Sequence, residues 1–368
     1  MGPPSTGKEQ TALRLEERIH LHRQFWNGQE LDAPLFAFRV GDYFLSNKFS
    51  ANLPLLKPKT VVTPQDIPVD SYLAEFEAQY LQCERIGQTG FFSAEPFTGF
   101  PWMEAMLGCP VLGAEVAFVT HPVYSSILSL DSLSVDPANP WFQKYMEFLD
   151  KLTDFSAGRF PVGQPILRGA SDVVSALVGQ EEMACALIEE PESLKDIFLA
   201  VSRCQRQLLE EHYRHIEPYG GGYTSGFYYL WSPGRFLWYQ EDMSALMSPR
   251  HFGDFLDDPG RLLCEGCDYT MIHLHPSSFA HLDYILANPT LRVVQINKDV
   301  GGPGVRDMLP EYLRVLEAGK KLVVWGDLDE SDLVFPMEHL PRRDVVYSIF
   351  APTEEIAKDL AALCRRLW

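Results

Sequence analysis

The sequence predicts an α/β fold, namely one (β/α)8 TIM barrel with an N-terminal helical extension. Short apolar runs alternate with amphipathic stretches along the chain, and polar residues follow the ends of the apolar runs. This alternation is typical of parallel strands joined by helices. No linker rich in Gly, Ser or Pro divides the 368 residues, and the sequence shows no internal repeat. We therefore expect an extension over residues 1–30 and a single barrel domain over residues 31–368.

Each element is assigned from the spacing of its apolar residues. In the first half of the chain, we predict helices over 9–27, 72–86 and 140–153, and strands over 34–41, 90–96, 115–120 and 162–169. In the second half, we predict helices over 171–179, 191–215, 279–287, 307–318 and 354–367, a further helix from Pro249, and strands over 269–275, 291–297 and 321–327. In a barrel, the carboxyl ends of the strands meet at one face, where catalytic residues lie.

Composition limits the classes of function. The formal net charge is −19, from 31 Lys and Arg residues against 50 Asp and Glu residues. Nucleic acids and anionic membrane surfaces are bound largely through positive charge, so both are disfavoured as partners. The sequence contains no run of about eighteen apolar residues that would span a bilayer. It starts without an apolar signal segment, and its seven cysteines are predicted to be reduced thiols, so we expect a cytoplasmic enzyme with a small-molecule substrate.

A pair of histidines, His273 and His275, lies at the end of the strand predicted over 269–275. Side chains two residues apart in a strand point to the same face, so the two imidazoles are expected to project together. Two imidazoles and one carboxylate form an open zinc site with a fourth position for substrate. Glu95 or Asp327, each at the end of its own predicted strand, would supply the carboxylate. The alternative is one hydrogen-bonded histidine in a pocket and a second one packed under a loop.

Glu95, Arg39 and Asp327 are the candidate catalytic residues. Glu95 follows two phenylalanines, and burial beside them would raise its pKa and suit it to general acid/base catalysis. A surface carboxylate is the alternative for Glu95. Arg39 ends an apolar run, where its guanidinium would anchor a substrate carboxylate or form an internal ion pair with Glu95 or Asp327. Asp327 ends a strand of the predicted barrel, which places it at the catalytic face.

Aromatic and polar residues near other strand ends predict substrate contacts. Residues 218–242 combine glycines with aromatic side chains, which is typical of a loop and a strand that line a pocket. Within this segment, Tyr228 and Trp231 are predicted to contact a flat or sugar-like ligand, with core packing as the alternative. The other predicted substrate-binding residues are Arg168, Gln295 and Asn297.

Four stretches, in the same order along nearly the whole chain, resemble motifs of the uroporphyrinogen decarboxylase superfamily. Residues 34–43 (PLFAFRVGDY) are similar to its first motif, and residues 91–96 (FFSAEP) place Glu95 where the superfamily carries its catalytic aspartate. Residues 165–174 (PILRGASDVV) resemble its Gly-x-Pro loop and the helix after it, and residues 324–329 (VWGDLD) resemble its Gly-Asn-Leu-Asp-Pro turn. The resemblance implies a barrel enzyme.

The first motif keeps Arg39 but lacks the second arginine with which the decarboxylases hold a tetra-acidic porphyrinogen, so that substrate is disfavoured. The superfamily also contains zinc-dependent methyl and alkyl transferases, such as the corrinoid:coenzyme M methyltransferases, which carry His-x-Cys at the end of a late strand. His273-Leu-His275 looks equivalent to that motif, and residues 302–307 (GPGVRD) resemble a turn of the related methionine synthases. The resemblance implies zinc on His273 and His275, a corrinoid or its carrier protein as methyl carrier, and a homodimer.

The sequence therefore predicts metal-assisted methyl or alkyl transfer of the corrinoid methyltransferase kind, with Glu95 as acid/base or third ligand and Arg39 among the substrate contacts. Two alternatives stay open. One is a metal-free decarboxylase or other lyase, in which Arg39 grips a substrate carboxylate and Glu95 handles the proton. The other is a non-catalytic barrel that binds a ligand. Metal content separates the first function from both alternatives.

Overall fold

The computed structural model describes residues 13–130 and 132–368. Its strands are β1 (Phe36–Val40), β2 (Val61–Val62), β3 (Val111–Ala114), β4 (Ala117–Thr120), β5 (Leu167–Arg168), β6 (Tyr223–Thr224), β7 (Trp231–Ser232), β8 (Phe236–Gln240), β9 (Tyr269–Leu274), β10 (Val293–Lys298), β11 (Lys321–Asp327) and β12 (Val345–Ala351). Its α-helices are α1 (Leu15–Trp26), α2 (Asp70–Ile86), α3 (Trp102–Met106), α4 (Pro140–Ser156), α5 (Ala170–Val178), α6 (Gln180–Glu189), α7 (Pro191–His215), α8 (Pro249–Cys264), α9 (Leu282–Ala287), α10 (Leu309–Glu317), α11 (Glu330–His339) and α12 (Glu354–Leu367).

Local sequence signals set where several helices begin. Pro140 opens α4, and the side chain of Asn139 accepts a hydrogen bond from the Trp141 N–H at 2.8 Å. A proline in the first turn costs no hydrogen bond, and an asparagine before it satisfies a free N–H group. Asp329 caps α11 in the same way, accepting from the Asp332 N–H at 2.9 Å.

The main sheet contains seven parallel strands in the order β1-β12-β11-β10-β9-β8-β5. The strand ladder is continuous from β8 to β12. The strand β12 also pairs with β1, with Phe350 opposite Arg39. Helices occupy the connections between these strands, so the predicted α/β class is confirmed. Regular strand pairing covers seven strands, one fewer than the eight that the sequence predicts.

The predicted strand over 90–96 is an extended segment joined to its neighbours by a few isolated hydrogen bonds. The Gly90 N–H donates to the Phe36 carbonyl at 2.8 Å, next to one edge strand, and the Ala94 N–H donates to the Pro161 carbonyl at 3.0 Å, near the other edge. One segment reaches both edges only if the sheet curls upon itself. Prolines at 96, 161 and 165 remove N–H donors here, which explains why no regular ladder forms.

Alternate residues of the strands enter two separate apolar cores. The inner core, enclosed by the curled sheet, includes Trp238, Met271 and Val293, whereas the neighbouring Val294 packs into the outer core between sheet and helices. Phe25 of α1 belongs to the inner core. The helix α1 therefore covers the end of the sheet at which the strands begin, opposite the end where the predicted site residues lie.

The structure corrects two further assignments of secondary structure. Residues 117–120 form a strand, but it belongs to a separate antiparallel sheet in the order β2-β3-β4 and not to the barrel-like sheet. The strand β12 was not predicted, although it completes the contact between β11 and β1. The predicted helix over 9–27 is α1, and its residues 9–12 lie outside the described ranges. In the described part of the chain, no helix combines the length and apolar character needed to cross a membrane.

Candidate metal centre

The structure brings His273 and His275 together at the carboxyl end of β9. His273 is the fifth residue of that strand and is buried, whereas His275 follows the strand and is partly exposed. Their Nε2 atoms lie 2.9 Å apart. The pleat of the strand sends both side chains to the inner face of the sheet, as the spacing of the two residues predicts.

The other ring nitrogen of His273 faces hydrogen-bond acceptors. Its Nδ1 is hydrogen-bonded to the Oε1 of Gln295 and lies 3.1 Å from the hydroxyl of Tyr228. The Tyr228 hydroxyl itself donates to the same Gln295 oxygen at 2.6 Å. Because a carboxamide oxygen only accepts, Nδ1 carries the proton and Nε2 keeps its lone pair. Burial lowers the pKa of His273 to about 3, so its ring is neutral at physiological pH.

His275 is held in the same tautomer by a carboxylate. Its Nδ1 lies 2.6 Å from the Oδ1 of Asp299, and the amide nitrogen of Asn297 lies 3.3 Å from the same ring atom. Asn297 also donates to Asp299. Since a carboxylate accepts the Nδ1 proton, the neutral form of His275 has its lone pair on Nε2 as well.

With both rings neutral and protonated on Nδ1, the two Nε2 lone pairs face each other across 2.9 Å. Without a positive charge near both atoms this arrangement is repulsive, whereas a shared metal ion makes it favourable. A third ligand atom is close by, because the Oδ1 of Asp242 lies 3.8 Å from the Nε2 of His275. The ligand atoms of Asp242, His273 and His275 all lie within 4.8 Å of one another. Two imidazoles and a carboxylate are a donor set that suits zinc and other divalent metals.

Asp242 is the carboxylate that the sequence analysis did not identify. It lies two residues beyond the end of β8, in the segment from which only the aromatic residues were selected. A polar residue just after a barrel strand is the signal that would have identified it. Neither of the carboxylates expected as third ligand, Glu95 and Asp327, belongs to this group of ligand atoms.

Glu95 lies beside Arg39 in a second polar cluster. The Arg39 Nη2 is 3.4 Å from the Glu95 Oε1, and the Arg39 Nε donates to the Phe227 carbonyl at 2.8 Å. The guanidinium also stacks on the rings of Phe227 and Tyr229, at 4.5 and 4.3 Å from their centroids. The internal ion pair that the sequence allowed for Arg39 is thus the observed contact. Burial raises the pKa of Glu95 to about 7, although the charge of Arg39 opposes that shift.

The two aromatic residues predicted to contact a ligand lie at opposite ends of the sheet. Tyr228 reaches the histidines, as described above. Trp231 does not, because its indole N–H donates to the Tyr219 carbonyl at 2.8 Å and its own carbonyl accepts from Trp26 of α1 at 2.7 Å. The prediction of a pocket-lining role for Trp231 is therefore wrong. A Cβ on Gly222 would overlap its ring, so the glycine run serves close packing here and not ligand access.

The remaining predicted residues lie near the same end of the sheet as the histidines. Gln295 and Asn297 contact the histidines directly. Asp327 ends β11 with an exposed side chain, and its backbone carbonyl accepts from the Lys298 ammonium at 2.7 Å. Arg168 forms an ion pair with buried Glu104 at 2.7 Å.

Comparison with known proteins supports the fold and no closer relationship. No family model matches the chain, and the curated proteins contain no match to it. Among solved structures, it is similar to a methyltransferase from Methanosarcina mazei, with a TM-score of 0.65 and 13% sequence identity. The similarity covers 95% of this chain and 97% of that one. At this level of identity the similarity shows a shared fold across nearly the whole length.

Proposed function

We propose that this chain is an enzyme that transfers a methyl or alkyl group with the help of a metal ion held by Asp242, His273 and His275. The fold supports an enzyme of this kind, since it is shared with the methyltransferase from Methanosarcina mazei. The observation that carries the proposal is the placement of the two Nε2 atoms 2.9 Å apart, with a carboxylate oxygen of Asp242 near both. Zinc is the metal proposed, because histidine and carboxylate ligands suit it.

A metal ion bound here would lower the pKa of a coordinated thiol or water, making it a nucleophile near neutral pH. The neighbouring side chains orient each histidine for metal binding. Gln295 and Tyr228 hold the Nδ1 proton of His273, and Asp299 holds that of His275. Hydrogen bonds from the ring nitrogen that does not bind the metal fix the ring orientation of metal-binding histidines.

The substrate and the methyl donor belong to the same proposal. The partly exposed His275 and Asp242 give a small acceptor, such as a thiol, access to the site from solvent. A corrinoid, free or on a carrier protein, is the proposed methyl carrier, and a homodimer is the proposed assembly. Glu95, with its pKa near 7, is the proposed proton acceptor and donor for a group bound beside Arg39.

Metal content is the test of this function. We expect the chain, purified without added metal or chelator, to contain about one zinc per molecule. We expect the His273→Ala/His275→Ala double variant to contain none, because two of its three ligands are gone. The matched control is His121→Ala, at an exposed histidine far along the chain from the site, which should keep its zinc. Zinc in all three proteins would show binding at some other place.

The absence of metal from the wild type would contradict the proposal. A different hydrogen-bond arrangement would then explain the site. If the carboxamide of Gln295 is turned by 180°, its nitrogen, which has no partner in the described orientation, donates to the Nδ1 of His273. An N–H···N bond then joins the two histidines without a metal.

The second candidate function is a metal-free decarboxylase or other lyase. It is favoured by the buried pair of Glu95 and Arg39, in which a carboxyl group with a pKa near 7 lies beside a fixed positive charge. A group of that pKa both gives and takes a proton at neutral pH. This candidate requires full activity in protein that is free of metal, and loss of activity in Glu95→Gln.

A further inference from the structure

We propose that Gln240 is the positioning residue for the carboxylate ligand of the metal centre. This inference deepens the function proposed above and rests on it. By holding the Oδ2 of Asp242, Gln240 leaves the Oδ1 of Asp242 facing the histidine pair.

The geometry around the Gln240 side chain carries the proposal. Its Nε2 donates to the Oδ2 of Asp242 at 2.7 Å and to the Oδ2 of Asp172 at 3.2 Å. A primary amide nitrogen has two hydrogens in one plane, so a single Nε2 satisfies two acceptors in a fixed geometry. The other oxygen of Asp242, the Oδ1, is the atom that lies 3.8 Å from the Nε2 of His275. Gln240 thus determines which oxygen is presented to a metal.

The Gln240 amide lies between the carboxylates of Asp172 and Asp242. Asp172 is fixed independently, because its Oδ1 accepts from the Met243 N–H at 2.7 Å. Without the amide, the two carboxylates would lose the donor between them, and their mutual repulsion, which Arg168 offsets only in part, would turn Asp242 away. The bridge therefore counteracts the repulsion and orients the ligand at the same time.

The backbone that carries Gln240 and Asp242 is itself fixed at the start of helix α5. The Gln240 carbonyl accepts from the Gly169 N–H at 2.7 Å. The next side chain, Glu241, accepts from the N–H groups of Ala170 and Ser171 at 2.9 and 3.0 Å. Residues 240 and 241 are therefore held by three consecutive residues, 169–171, so the backbone next to Asp242 is preorganised before any metal binds.

The test is the zinc affinity of four proteins, measured by competition with a chromogenic chelator. They are the wild type, Gln240→Met, Asp242→Ala and the double variant. Methionine keeps the length of the side chain and removes both N–H donors. We expect Gln240→Met to bind zinc about 10–100-fold more weakly, the range found when an outer partner of a metal ligand is lost.

The double variant separates positioning from a general structural effect. If Gln240 acts through Asp242, adding Gln240→Met to Asp242→Ala should not weaken zinc binding further. The control is Gln143→Met, at an exposed glutamine whose side chain donates to the Pro137 carbonyl, and its zinc affinity should equal that of the wild type. Equal urea midpoints of all metal-free proteins would show that each variant is folded.

Cobalt(II) gives a second readout, since its visible spectrum reports the ligands around the ion. We expect the Gln240→Met spectrum to shift toward that of Asp242→Ala, with the control unchanged. Wild-type affinity in Gln240→Met, or an equal loss in both backgrounds, would overturn the positioning role while leaving the metal centre intact. A wild type that binds neither ion would overturn the proposed function and this inference together.

Discussion

At the scale of single residues, the site depends on which atom of each side chain is left free. His273 and His275 are useful as ligands only because Gln295 and Asp299 occupy their Nδ1 atoms. The same logic applies to Asp242, one of whose oxygens is taken by Gln240. Hydrogen-bond partners therefore determine the chemistry of the site as much as the ligands do.

The buried Glu95 leads to a prediction about pH. Its pKa is raised from 4.5 to about 7 by burial, so between these values the folded protein keeps a proton that the unfolded chain has released. Stability then falls as the pH rises through this window, by about 1.4 kcal/mol per pH unit. Arg39 and Lys48 face Glu95, and burial lowers the pKa of Lys48 only to about 7, so Lys48 is charged over most of this range.

We therefore expect the stability of wild type relative to Glu95→Gln to decrease by on the order of 3 kcal/mol between pH 4.5 and pH 7. Urea unfolding of both proteins at several pH values measures this difference. The comparison cancels other groups that titrate in the same window. A constant difference would mean that Glu95 is ionised throughout.

At the scale of elements, the junction between β8 and α5 connects the sheet to the metal centre. The Gly169 N–H donates to the end of β8, and the carboxylate of Glu241 lies against the free N–H groups that open α5. An acidic side chain at a helix start satisfies N–H groups that have no partner within the helix, and here burial raises the pKa of Glu241 to about 8. The same contact keeps the loop with Asp242 in place.

Gly169→Ala tests that junction. A Cβ at this position would overlap the Glu241 carboxyl group and the Gln240 carbonyl, so the two elements would have to move apart. We expect a loss of about 1–3 kcal/mol in the free energy of unfolding, as overpacked sites show. The control is Gly304→Ala, whose Cβ would meet only the Asp307 carboxylate at 3.5 Å. Equal urea midpoints for the two variants would contradict this account of the junction.

At the scale of the whole molecule, the two ends of the curled sheet differ in the residues that fill them. The end where the strands begin is filled by apolar residues of α1, and the end where they finish carries the polar cluster around His273. Separation of stability from chemistry along the strand direction is typical of barrel enzymes. Changes at one end should therefore leave the other end intact.

Phe25→Ala tests this separation. Phe25 is fully buried where α1 closes the inner core, so its removal leaves a cavity. We expect a loss of about 3–5 kcal/mol in the free energy of unfolding. Zinc content per folded molecule should stay the same as in the wild type. Loss of zinc from protein that is still folded would show that the two ends are coupled.

The sequence by itself determined the α/β class, the strand that carries His273 and His275, and the joint projection of these two side chains. These features follow from periodicity within one short segment, which the backbone alone enforces. The sequence did not identify Asp242 or Gln240, and it did not decide between a ligand contact and core packing for Trp231.

Only the tertiary structure decided which carboxylate accompanies the histidines. Asp242, Asp299, Glu95 and Asp327 all lie near predicted strand ends, and the pattern of residues along the chain does not show which of them reaches the histidines. Their distances to the histidines depend on the strand order and on the curl of the sheet, which arise from contacts between distant parts of the chain. Local patterns therefore predict which residues can take part in the site, whereas the packing of strands and helices selects those that do.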